Sequence, residues 1–386
     1  MTVIPFAVDI PEADLADLRH RLRNTRWADD YGNADWGYGV ERGWLQDMVR
    51  YWAETFDWRA QEAEINRYPQ FRTEIDGVPI HFIHVRGKDP NPKPIILTHG
   101  WPWTFWDWKG VIDRLVDPVA YGRSADESFD VVVPSLPGFG FSVPLRTSPM
   151  STRETAGLWV RLMQERLGYE KFAASGGDWG ALVTSDIGHL YPEAVVGIYL
   201  TLPMMPGFME LWPDIHTRFA PGEEWMAKRC LEARPLIESH VSVQTADPQT
   251  LAYAMVDSPV GTAAWLWERR RAWSDCGGDV VALHGRDFLC TLASIYWFNK
   301  SIGTSFRFYA DQFRRPWLPI RDQQPMIPVP TGVAVSPKEV VMVPRAWIEQ
   351  NCNLKRYTVF ERGGHFAPAE NADAVADELR IFFNAL

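Results

Sequence analysis

Hydrophobic positions recur along the chain with two different periods, and the switches between them mark out the elements. Leu15, Leu18 and Leu22 form a stripe at helical spacing behind Pro11, a residue suited to a first helical turn. Leu45, Met48, Val49, Trp52 and Phe56 repeat that spacing and predict a second helix from about Val40 to Phe56, so residues 1 to about 65 read as helical. Then the period drops to two. Phe71–Ile75 and Val78–Val85 flank Asp76-Gly77, a strong hairpin signal, and the proline-rich stretch Asp89–Pro94 reads as a boundary.

Beyond that boundary strands and helices alternate. The predicted strands are Ile95–Thr98, Asp130–Val133, Phe172–Ala174 and Val195–Leu200. Between them lie a helical Phe105–Val116, a helix headed by the capping-box pair Ser151 and Glu154 and closed by Gly168, and a helix over Ala181–Tyr191. The alternation stops after Leu202, and residues 204–322 are tryptophan-rich and mainly helical. It resumes with the strand Gly332–Val335, a helix near Pro344–Asn351, the strand Tyr357–Phe360 and a last helix from about Glu370 to Phe383. Alternation of this kind predicts an α/β fold with a mostly parallel sheet covered by helices on both faces. Residues 93–203 and 323–386 form its expected core, 204–322 an inserted helical lid and 1–92 an N-terminal extension, with no internal repeat.

Composition narrows the function classes. The 386 residues carry a net charge of −10 and a sequence pI near 5.4, which argues against nucleic acid as a partner, since phosphate binding needs a basic face. The densest basic run, Arg269-Arg270-Arg271, has acidic neighbours in Glu268 and Asp275 and reads as a solvated helix face. An aromatic load of 19 Trp and 20 Phe suits a pocket for an apolar ligand as well as a core. Cys230, Cys276, Cys290 and Cys352 are scattered, without metal-ligand spacing, and read as free thiols in a reducing cytosol. Neither a signal peptide nor a run of roughly 18 apolar residues is present, so a soluble, cytoplasmic protein is expected.

The chemistry concentrates in three segments. In Ser175-Gly176-Gly177-Asp178-Trp179-Gly180 a strand runs into a glycine-flanked turn and then a helix, the pattern of a nucleophile elbow with Asp in place of Ser. Taken alone, Asp178 could equally cap the following helix. His99-Gly100-Trp101-Pro102 follows a strand where α/β-hydrolases place an oxyanion-hole loop, so the amides of Trp101 and Trp179 are expected to point at one oxygen. Gly363-Gly364-His365-Phe366 places a histidine on a loop between strand and helix, and Glu339, just after a strand, supplies the acid that orients it. The order nucleophile, acid, histidine is that of the α/β-hydrolase fold.

A carboxylate nucleophile has a specific use. It displaces a leaving group at saturated carbon to form an alkyl ester, whose carbonyl water then attacks with histidine as general base. Epoxides and alkyl halides both fit. A halide leaves with weak donors only, whereas an epoxide oxygen leaves as an alkoxide and needs an acid such as a tyrosine.

Here the chain resembles the microsomal-type epoxide hydrolases over nearly its whole length. The likeness rests on Pro5-Phe6, Asp9-Ile10-Pro11, Thr25-Arg26-Trp27, His99-Gly100-Trp101-Pro102, Gly176-Gly177-Asp178-Trp179-Gly180, Asp257-Ser258-Pro259-Val260-Gly261, Arg307-Phe308-Tyr309 and Gly363-Gly364-His365-Phe366. It implies Asp178 as nucleophile, Glu339 as acid, His365 as base and Tyr309 as one of two lid tyrosines that bind the epoxide oxygen. The second tyrosine falls on His240 by ungapped placement, a departure that leaves three readings: Tyr309 acts alone, His240 or Gln244 donates, or the placement is shifted. His240 otherwise reads as a non-catalytic pocket or surface residue, and the rings of Trp101 and Trp179 as pocket wall. A counterpart of the family's membrane anchor is not expected. The expected reaction is cofactor- and metal-free hydration of a small apolar or aromatic epoxide, with no nucleic-acid or membrane partner and a homodimer as the candidate assembly. The alternatives are a haloalkane dehalogenase and an inactive homologue that binds apolar ligands.

Overall fold

The structure is a computed structural model that describes residues 2–386; Met1, at the head of the expected extension, lies outside the described residues. Its strands are β1 (Ile4–Phe6), β2 (Gln70–Ile75), β3 (Val78–Val85), β4 (Lys93–Thr98), β5 (Phe129–Pro134), β6 (Phe172–Gly176), β7 (Val195–Leu200), β8 (Ile327–Val335) and β9 (Cys352–Val359). They form a nine-stranded sheet in the order β1-β2-β3-β5-β4-β6-β7-β8-β9. Pairing is antiparallel from β1 through β3 to β5 and parallel from β5 to β9. This is the α/β-hydrolase fold.

Both faces of the parallel region are buried, so its strands are continuous apolar runs and not alternating ones. Ile95, Leu97, Val131 and Val133 join one core, with Val111, Leu115, Leu379 and Phe382 from helices Lys109–Val116 and Ala372–Asn384. Ile96 and Val132 point the other way, towards Leu158, Trp159, Val183 and Ile187 on helices Thr152–Arg161 and Trp179–Leu190.

Several boundaries differ from the sequence expectation. Ile4–Phe6 is an edge strand, not helix; it pairs with β2 through Ile4↔Arg72, a partner too distant to leave a local periodic signal. The helices of that region are Glu12–Arg23, Arg42–Glu54 and Trp58–Ile65. β2 and β3 form the expected hairpin, with Asp76 and Gly77 both at positive φ. β1, β2 and β3 thus belong to the same sheet as β4, so the expected N-terminal extension contributes strands to the core sheet. β8 begins at Ile327, ahead of expectation, because Pro328 and Pro330 disguise its first half and coincide with a register shift. The final helix is broken at Asn371 into Ala367–Glu370 and Ala372–Asn384.

Between β7 and β8 the chain forms a helical insertion, from Phe208–Leu211 to Ser301–Phe313. The N-terminal helices pack against it: Leu15, Met48 and Trp52 share a core with Trp267 and Leu289, and the Trp52 indole donates to Ser294 at 3.1 Å. The expected solvation of the basic run is overturned at two of its three residues. Arg270 on helix Pro259–Trp273 is fully buried, paired at 2.5 Å with Asp107, and its guanidinium sits 3.8 Å over the ring of Phe366. Arg269 is also buried. The four cysteines are unpaired, and no helix among the described residues is long and apolar enough to cross a membrane.

Candidate active site

The order β5-β4-β6 means that the chain leaves β4 to one side and β6 to the other, which opens a crevice at their carboxyl ends. Thr98 of β4 is paired with Gly176 of β6, so the turn Gly100-Trp101 meets Gly177-Asp178. The approach is close enough to dictate glycine. A Cβ on Gly180 would lie 2.0 Å from the carbonyl oxygen of Thr98, and one on Gly100 would lie 2.2 Å from Oδ1 of Asp178.

Asp178 sits at φ 50° and ψ −129°, a conformation a residue with a side chain rarely adopts. It precedes helix Trp179–Leu190 yet makes no capping bond to it, which removes the helix-cap explanation. Its Oδ1 accepts the amide hydrogen of Trp101 at 2.7 Å. Its Oδ2 lies 3.3 Å from Nε2 of His365, close enough to pair but not aligned for a hydrogen bond. The amide of Trp179, first in its helix, has no intrahelical acceptor and flanks the same carboxylate.

His365 is held from every side. Its Nδ1 donates to Oε1 of Glu339 at 2.6 Å, and the same oxygen accepts the amide of Val340 at 2.7 Å. The amide of His365 donates to the carbonyl of Trp273 at 2.9 Å, and Glu370 accepts from the flanking amides of Gly364 and Phe366, each at 2.9 Å. Burial alone pulls the imidazole pKa down. The charges of Glu339 and Asp178 outweigh it and raise the pKa to about 10, so the resting ring is an imidazolium.

Asp178, Trp179, His240, Tyr309 and His365 open on a cavity of about 550 Å³, walled mainly by apolar side chains such as Leu202, Phe208, Trp212, Phe313, Trp317 and Val341. Tyr309, on helix Ser301–Phe313, packs edge-on to Trp179 at 4.6 Å. Burial, and then the charge of Asp178, hold its phenol pKa well above 10. His240, on helix Glu224–Ala246, stacks on Trp101 at 5.0 Å and lies 5.5 Å from Tyr309. The ring of Trp101 is therefore covered and does not line the cavity, whereas that of Trp179 does. Gln244, expected as a possible substrate contact, is not part of the lining. One helical turn beyond His240, it is fully buried and its Oε1 accepts the indole hydrogen of Trp265 at 3.0 Å.

Three supporting elements escaped the sequence reading. His99 donates from Nδ1 to Gly100 O at 2.9 Å and accepts the amide of Leu136 at 3.0 Å, fixing the loop that presents Trp101; burial lowers its pKa to about 4 and keeps it neutral. Glu370 and the Asp107–Arg270 pair brace the His365 loop from below. Only His99 had a local signal, its place in the oxyanion-loop motif.

Residues 3–108 match the family model described as the epoxide hydrolase N terminus, and residues 93–229 match the α/β-hydrolase fold. The chain is 39% identical, over all of its length and 85% of the relative's, to a Stigmatella aurantiaca protein provisionally classed as an epoxide hydrolase. It is 30% identical to epoxide hydrolase 1 of Sus scrofa, over all of its length and 89% of that chain. Among solved structures, the juvenile hormone epoxide hydrolase of the silkworm Bombyx mori superposes with a TM-score of 0.89 at 26% identity, covering all of this chain and 94% of that one.

Proposed function

The chain belongs to the epoxide hydrolase family and hydrolyses epoxides, and we propose that it does so through an ester formed on Asp178. Oδ2 of Asp178 attacks one epoxide carbon, the carbon–oxygen bond breaks, and the departing oxygen takes the proton of Tyr309. The remaining oxygen, Oδ1, becomes the ester carbonyl, already in contact with the Trp101 amide. Esterification removes the negative charge of Asp178. That charge is one of the influences holding the His365 pKa up, so the imidazolium gives its proton back to the Tyr309 phenolate and becomes a base.

Neutral His365 then takes a proton from water as the water oxygen adds to Cγ. The amides of Trp101 and Trp179 stabilise the oxyanion that develops on Oδ1. On collapse the diol oxygen leaves as Oδ2 and takes the imidazolium proton; the new carboxyl proton passes to His365, restoring the resting state. Glu339 keeps the ring in the required tautomer throughout.

The division of labour between the two oxygens of Asp178 carries this reading: one rests on an amide and the other faces the imidazole. The apolar wall supports a small apolar or aromatic epoxide as substrate, and four free thiols support a reducing, cytoplasmic setting. The test is His365→Gln mixed with styrene oxide. The peptide containing Asp178 is expected to gain the mass of one substrate, and to stay unmodified in Asp178→Asn; an adduct on any other residue would contradict the assignment.

A further inference from the structure

We propose that Asp186 is a positioning residue for substrate size: it holds the indole of Trp317 as a wall of the cavity and so limits the bulk of the group an epoxide carries. The inference rests on the cavity at Asp178 being where epoxides are opened. Asp186 is fully buried on helix Trp179–Leu190, behind the lining of that cavity. Its two oxygens accept the indole hydrogen of Trp317, at 3.1 and 3.3 Å. Burial raises its pKa to about 6 against the hydrogen bonds of Thr152 and Trp317, which leaves a carboxylate at neutral pH. An interior carboxylate is costly unless hydrogen bonds compensate it, and a charged acceptor binds its donor firmly, so the indole is held in one orientation.

Trp317 is the one buried residue between Arg314 and Ile320, a stretch with neither helix nor strand on the way from the insertion to β8. It lines the cavity together with Trp179 and Leu182, which lie on the same helix as Asp186. At the helical rise per residue, Asp186 stands about 12 Å along that helix from Asp178, so the tethered indole faces the substituent and not the epoxide ring. The same buried seam reaches Gln312, a second lining side chain, whose Oε1 accepts the Thr152 amide at 3.1 Å.

The backbone of this stretch is held separately. The carbonyl of Trp317 accepts the Gly207 amide at 2.7 Å, that of Leu318 accepts the Arg153 guanidinium, and the Ile320 amide donates to Nε2 of His189 at 3.1 Å. Loss of the Asp186 contact therefore frees the ring and leaves the chain path in place. An indole N–H stranded beside an apolar side chain is penalised, and rotation towards the exposed neighbours Pro316 and Leu318 relieves it. That rotation takes the wall away from the substituent and enlarges the cavity.

The experiment compares kcat/KM for terminal epoxybutane and terminal epoxydodecane, because a ratio taken on one preparation does not depend on how much of it is folded. In Asp186→Leu the long-to-short ratio is expected to rise about 10-fold over wild type, the low end of what fit in an apolar pocket is worth. Asp186→Asn, which keeps an acceptor oxygen, is expected to stay near the wild-type ratio. Trp317→Phe, which lacks the N–H, is expected to follow Asp186→Leu and takes its place if that variant fails to fold. A ratio within twofold of wild type, including an equal loss on both epoxides, would overturn the role of Asp186; if His365→Gln still gains substrate mass on the Asp178 peptide, the ester route stands. An unshifted ratio with no adduct on Asp178 would overturn both.

Discussion

Oδ1 of Asp178 rests 2.7 Å from the amide nitrogen of Trp101, while Oδ2 of the same carboxylate stands 3.3 Å from Nε2 of His365. The carboxylate is thus oriented before any substrate arrives, one oxygen on an amide and the other beside the imidazole. Gly100 makes this possible, since a methyl group there would lie 2.2 Å from Oδ1. Gly100→Ala is expected to lower kcat about 100- to 1000-fold, comparable to losing an oxyanion donor, with the circular dichroism spectrum unchanged. Activity near wild type would show that the amide contact is dispensable.

Glu339→Gln removes the charge that most strongly raises the His365 pKa and disturbs the tautomer. Ester hydrolysis is expected to slow by about 10⁴-fold, the size of the corresponding change in a serine protease triad, while ester formation persists. Rapid-quench mass spectrometry of the Asp178 peptide should therefore reveal accumulated ester.

The pKa of His365 gives two pH effects of definite sign. Folding raises it from 6.5 to about 10, so its contribution to stability is complete below 6.5 and is lost as pH rises through about 10. The Tm of the wild-type protein should fall between pH 6.5 and 10 by more than that of His365→Gln. During turnover the sign reverses its consequence. With Asp178 esterified, the base limb of ester hydrolysis should lie well below 10, and a limb at 10 would show that the nucleophile's charge does not govern the base.

Arg270 and Asp107 are both fully buried, one on the insertion and the other just beyond the oxyanion loop. Removing either partner leaves a buried charge without compensation, so Arg270→Met and Asp107→Leu should each cost about 3–5 kcal/mol in urea denaturation. The double variant should be markedly less destabilised than the sum of the two. Additive losses would mean that the pair is not coupled.

Much of this site could be read in the sequence because its chemistry is local. The glycines around Asp178 and the turn before Trp101 report backbone constraints imposed within a few residues, and the tyrosine and histidine positions sit in short, dense motifs. What escaped depends on contacts between distant segments. The strand Ile4–Phe6 exists only through β2, and Arg270 looks like a surface residue until Asp107, 163 positions away, is brought beside it. His240 is the intermediate case: the family resemblance put it, by ungapped placement, at the site of an expected tyrosine, but only the stacking on Trp101 gives it an orientation.

The most direct test of the Asp178 route is a single turnover in oxygen-18 water with enzyme in excess over styrene oxide. On that proposed route water adds to Cγ of Asp178, and the diol carries away an oxygen that belonged to the enzyme. The peptide containing Asp178 should therefore gain one heavy oxygen while the first diol formed remains unlabelled. Label in the diol and none in the Asp178 peptide would contradict the ester route and mean that water attacks the epoxide directly.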